Sequence, residues 1–147
     1  MKHYLLGFIL FFAMSAYAQK KGAEIFQING AAIGGYDPVA FFNQSKPVKG
    51  QANYNLKWKG ANWHFASKAN LDSFAKHPEN YAPQFGGYCA YGTSRGHKAP
   101  TEVDTWTVLD GKLYFNYNQK VKAVWDKDRP KYIAEAGINW EKIKFDE

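Results

Sequence analysis

The chain has 147 residues, with 19 lysines and arginines against 13 aspartates and glutamates, and a single cysteine, Cys89. That length supports one domain with one core, and one cysteine excludes a disulfide framework, so the 18% of aromatic residues must hold the core by packing rings. The lysines are spread from Lys20 to Lys144 rather than gathered in a stripe, which speaks against a nucleic-acid-binding face.

Residues 1–18 carry Lys2, an apolar run from Leu5 to Met14 too short to span a bilayer, and Ala16-Tyr17-Ala18 ahead of Gln19. The pattern predicts a cleaved secretory signal peptide over 1–18 and a mature chain over 19–147. The protein is then exported, periplasmic or secreted, with no stable membrane insertion after cleavage; the alternative is an uncleaved anchor. The residue directly after the cleavage point is Gln19, not a cysteine that could take a lipid. Met1 and Met14 both lie in the leader, so the mature chain has no thioether to offer a metal.

Next, EIFQINGAA places Asn29-Gly30 between short apolar runs and predicts a hairpin beginning near Ile25. In GGYDPVAFF, Asp37 is read as a cap and Pro38 as the first turn of a short helix. NYNLKWKGANWHFA alternates: Tyr54, Leu56 and Trp58 share one face of a strand, and after Lys59-Gly60 so do Trp63 and Phe65 in the next, with His64 opposite. Ser67 is a helix cap, Leu71, Phe74 and Ala75 sit at helical spacing, and Pro78 ends the run. Beyond the glycine-rich segment around Cys89, Asp110-Gly111 marks a second such hairpin in DTWTVLDGKLYFNY. Asn118 caps a helix with Val121, Val124 and Trp125, and Pro130 opens another with Ile133, Ala136 and Trp140. With no internal repeat and no linker, the expected fold class is α+β: one small domain of β-hairpins, a short antiparallel sheet and packed helices.

Four stretches carry a resemblance: AIGGYDPVAFF at 32–42, WKGANWHFAS at 58–67, PENYAPQFGGYCAYG at 78–92 and DGKLYFNYN at 110–118. Together they resemble the exported single-domain branch of the YHS domain family. The resemblance implies heavy-metal association, since YHS domains accompany metal-transporting ATPases and some multicomponent oxygenases. The ligand cysteines it implies would stand in a DPVCGM segment and in F-C-S-x-x-C at a hairpin-to-helix junction, where this chain has Ala40, Ala66 and Asn70. None of these supplies a thiolate. The junction from Ala66 to Asn70 is therefore expected to pack as helix cap and core, without metal.

The remaining soft donors in the mature chain are Cys89 and the histidines His64, His77 and His97. Cys89 with His64 and His97 would make a three-ligand site for copper or zinc, although Cys89 and His97 stand eight residues apart, outside the tight spacings of metal motifs. Alternatively Tyr88, Cys89 and Tyr91 line an aromatic pocket for a small ligand, with Gly86, Gly87 and Gly92 letting the chain bend around it. The expected function is an exported binding protein whose partner is a metal ion or small ligand at this loop. Two other readings stay open. In one, Cys89 is the nucleophile of a thiol-dependent redox enzyme, its pKa lowered by His97 or Arg95; in the other, it is an inert buried cysteine in a structural or partner-binding domain. No phosphate loop, nucleophile elbow or paired-histidine zinc helix is present.

Overall fold

Three two-residue turns organise the strands of the computed structural model, which describes residues 22–147; the predicted signal peptide and its cleavage point lie outside the described residues. Asn29-Gly30 joins β1 (Gln27–Ile28) to β2 (Ala31–Ala32), Lys59-Gly60 joins β3 (Gln51–Trp58) to β4 (Ala61–Phe65), and Asp110-Gly111 joins β5 (Glu102–Leu109) to β6 (Lys112–Asn116). All six turn residues have positive φ. That is the type I′ geometry, whose twist matches the twist of the strands it connects. It pins the register at Ile28↔Ala31, Trp58↔Ala61 and Leu109↔Lys112.

The first four strands form one sheet in the order β1-β2-β4-β3, with β2 parallel to β4; β5 and β6 form a separate two-stranded sheet. Six α-helices accompany them: α1 (Ala40–Asn43), α2 (Lys68–Lys76), α3 (Pro78–Tyr81), α4 (Ala90–Ser94), α5 (Gln119–Trp125) and α6 (Arg129–Ile143). The α+β class expected from the pattern is the one observed.

Alternation along β4 buries Trp63 and Phe65 against Phe74 of α2, with ring centroids 5.1 and 5.2 Å apart. Trp58 closes the cluster edge-on to Phe74, and Leu71 packs against it. Each fully buried ring contributes about 2–3 kcal/mol by removing apolar surface from water. His64 faces the other way, its Nδ1 3.2 Å from where a Cβ on Gly35 would stand. Ala75, expected on the inward face, is exposed; the buried partner of Phe74 one turn earlier is Asn70.

Phe41 of α1 ties the second sheet to the first, meeting Phe115 edge-on at 5.3 Å and Trp106 at 5.7 Å. One apolar core thus runs from Ile25 to Phe115 through both sheets. A smaller cluster of Ala90, Tyr114 and Trp125 seats α4 and α5, and α6 is fastened over it by Asn139, which donates to the carbonyls of Thr93 and Ser94 at 3.0 and 3.1 Å. Asn118 caps α5 through Val121 N–H, as its position predicts.

The chain contains a short repeat that its sequence pattern had not suggested. Ile33-Gly34-Gly35-Tyr36 and Phe85-Gly86-Gly87-Tyr88 each run through three successive left-handed residues, with φ of 45°, 67° and 81° in one and 55°, 62° and 83° in the other. In each, the tyrosine N–H donates to the carbonyl three residues back. For a β-branched or aromatic residue this backbone is strained, at about 1–3 kcal/mol. The copies touch, because a Cβ on Gly87 would lie 2.8 Å from Ile33 Cγ2.

Candidate functional site

Asp37 does not begin a helix. The helix starts at Ala40 with no side-chain cap, and the fully buried Asp37 carboxylate turns inward instead. Its Oδ1 accepts from Val39 N–H at 2.8 Å, while Oδ2 accepts from Ala66 N–H at 2.8 Å and from Asn70 Nδ2 at 2.7 Å. Asn70 Oδ1 in turn accepts from Asn43 Nδ2 at 3.1 Å, and Ser67 Oγ caps α2 through Asn70 N–H. This network joins the very segments that hold Ala40, Ala66 and Asn70. The junction is packed as helix cap and core, as expected, and the side-chain amide of Asn70 is engaged at both its oxygen and its nitrogen. Its chemistry is that of a hydrogen-bonded structural joint, and it does not fit a soft metal.

The segment around Cys89, read as a loop, is a helix from Ala90 with Cys89 as its N-cap. Sγ accepts from Gly92 N–H at 3.3 Å and from Tyr117 N–H at 3.2 Å, and stands 3.6 Å from Asn116 Oδ1 as donor. The residue is 1% exposed. Burial pushes the thiol above its ordinary value of 9.0, while the N–H groups of Gly92, Tyr117 and Tyr91 pull the other way. That is the opposite of the activation expected from Arg95 and His97. The Arg95 guanidinium is instead paired with Glu135 and lies over the rings of Tyr91 and Tyr132.

The tyrosines beside Cys89 do not wall a pocket around it. Tyr88 packs on Phe26 and Trp140 and donates to the Ala23 carbonyl at 2.9 Å, whereas Tyr91 packs edge-on against Tyr132 at 5.2 Å. They diverge because α4 starts between them. Of the histidines, His97 is exposed and lies by α4, its Nε2 3.4 Å from where a Cβ on Gly92 would be. His64 sits beside Gly35 and Gly50 on the first sheet, and His77 is exposed between α2 and α3. Among the described residues no three His, Cys, Asp or Glu side chains are grouped so as to hold a metal ion. The set Cys89, His64 and His97 is therefore not assembled as a three-ligand centre.

A cleft of about 450 Å³ opens elsewhere, between the β1–β2 hairpin with its left-handed turn and the start of β5. Phe26, Ile28, Ile33, Tyr36, Val103 and Phe115 line it, and the exposed Lys49, Glu102 and Asp104 stand at its mouth. Sequence reasoning missed it because its walls come from three separate segments. The one legible signal was Ile33, a β-branched residue directly before two glycines.

No helix among the described residues is long and apolar enough to cross a membrane. Comparison with curated proteins gives no match, and neither does comparison with solved structures. One family model does match, that of the YHS domain, and its span begins at Val39 beside the Asp37 joint, takes in the β3–β4 hairpin and α2 with their aromatic core, and ends at the strained Phe85. Residues 39–85 of this chain match the YHS domain, the family that the sequence resembles.

Proposed function

We propose that the protein is an exported binding protein, periplasmic or secreted, that takes a small apolar molecule into the cleft between the β1–β2 hairpin and β5. The observation that carries this reading is the cleft itself. Its volume of about 450 Å³ lies in the range of small-molecule sites, and its lining is mostly apolar and aromatic, with Lys49, Thr101, Glu102 and Asp104 as the polar side chains. Strained backbone at Ile33 on its wall supports the reading, because strain of this kind collects at ligand sites. So does Ile28, a large apolar side chain left 49% exposed at the rim. Metal association, suggested by the wider family, has less support in this chain, where the junction positions are Ala40, Ala66 and Asn70 and the one thiol is buried and hydrogen-bonded.

The test is titration with the uncharged fluorescent probe N-phenyl-1-naphthylamine, read by its emission and by methyl NMR shifts. Saturable binding that moves the methyls of Ile28, Ile33 and Val103, is weakened about tenfold or more by Ile28→Asp and is unchanged by Cys89→Ser is the expected result. Absence of saturable binding, or binding that follows Cys89→Ser and ignores Ile28→Asp, would overturn it.

A further inference from the structure

Lys49 gives the cleft a chemical preference. Its backbone is fixed by an antiparallel bridge to Tyr36, and Gly50 N–H donates to the Gly35 carbonyl at 2.9 Å. The ammonium is then held at two points: it donates to the Gly34 carbonyl at 2.5 Å and lies 4.7 Å from the centre of the Tyr36 ring. The left-handed turn at Ile33-Gly34-Gly35 is the segment that presents this carbonyl. Lys59, Lys68, Lys122 and Lys144 each pair with a carboxylate. Lys49 has no carboxylate partner among the described residues. It is a positioned cation with donor capacity to spare, at the mouth of an apolar cleft.

Two acids also border the cleft. Glu102 and Asp104 line it together with Val103, and both side chains are exposed at the start of β5. Gln119 Nε2 donates to the Asp104 backbone carbonyl at 2.9 Å and to its carboxylate Oδ2 at 3.4 Å. Lys49 is the one cation among the residues that line the cleft.

Resting on the cleft as a ligand site, we propose that its ligand is an apolar acid, a hydrocarbon or aromatic body ending in a carboxylate that pairs with Lys49. The body replaces water against Phe26, Ile33 and Phe115, and the carboxylate accepts from the ammonium that Gly34 and Tyr36 hold in place. Displacement of N-phenyl-1-naphthylamine at neutral pH by decanoate, decanol and decylamine separates the head groups at constant chain length. For the wild type, decanoate is expected to displace the probe at about tenfold lower concentration than decanol. In Lys49→Met, which keeps an apolar stem and alters only an exposed side chain, the two are expected to become equal while decanol is unchanged. Decanoate no better than decanol in the wild type would overturn the assignment, as would a preference that survives in Lys49→Met. Decylamine as the best competitor would move recognition to Glu102 and Asp104 and overturn it too. In each of these cases the probe still binds, so the cleft stands; failure of the probe to bind at all overturns cleft and head group together.

Discussion

Asp37 shows how one side chain can decide a local structure. Its buried carboxylate satisfies two backbone N–H groups and one side-chain amide. Replacing it by alanine leaves those buried donors unpaired, at about 1–3 kcal/mol each before relaxation. Asp37→Ala is therefore expected to cost about 3–5 kcal/mol in total and to lower Tm by roughly 10 °C or more, measured by thermal melting followed by circular dichroism. Asp37→Asn should cost less, since its oxygen still accepts, but its NH₂ then faces one of the donors. A melting temperature within a degree or two of wild type for Asp37→Ala would show that the joint carries no load. Cys89 is a second residue of this kind: with two N–H groups on Sγ and Asn116 within reach, its immediate task is to start α4 and tie it to the end of β6.

At the scale of elements, the two left-handed Gly-Gly-Tyr turns stand against the three type I′ hairpins. In the hairpins positive φ relieves a conflict between twist and turn, whereas at Ile33 and Phe85 it is strain offset by packing. The second turn cannot accept side chains. A Cβ on Gly86 would fall 1.9 Å from the backbone carbonyl oxygen of Glu24, at a φ of 62°. Gly137, inside the 15-residue α6, is the contrasting case, with nothing within 4 Å of an added Cβ. Gly86→Ala is expected to destabilise by about 3 kcal/mol or more, through a backbone clash added to an unfavourable φ. Gly137→Ala is expected to stabilise by about 0.5–1 kcal/mol, because alanine is the better helix former and meets nothing. Chemical denaturation of the two variants checks both signs, and equal effects would mean that the packing around Gly86 has been misread.

For the whole molecule, burial of protonated side chains sets the response to alkali. Burial holds Cys89 above 9.0 and Tyr88 and Tyr114 above 10.0, so the folded chain keeps protons that the unfolded chain releases. The stability these groups contribute is complete below pH 9 and is lost as pH rises from there through their folded values. Lys98, whose ammonium burial holds below 10.5, titrates with the opposite sign. The difference between two proteins is therefore the cleaner measurement. Between about pH 8 and pH 10 the wild type is expected to lose melting temperature faster than Cys89→Ser, whose hydroxyl does not titrate there. Parallel curves would show that the buried thiol has no part in the alkaline transition.

Sequence alone determined the hairpins, the strand faces and the starts of α2, α5 and α6, because each depends on interactions within a few residues. Asn29-Gly30, Lys59-Gly60 and Asp110-Gly111 specify a turn by backbone sterics, alternation at Trp63 and Phe65 specifies a face by period, and Ser67 and Asn118 cap the next helical turn through their own side chains. The segment that matches the YHS domain was legible as an ordered string of motifs along the chain. Tertiary structure decided the rest. It withdrew Asp37 from a cap into a buried joint, because donors at Ala66 and Asn70 lie far along the chain and close in space. It turned Tyr88 and Tyr91 away from each other and sealed Cys89, since a helix start between them needed the sulfur as its cap. It also made the cleft, from Phe26, Lys49 and Val103, residues that no spacing rule connects and that meet only when both sheets share one core.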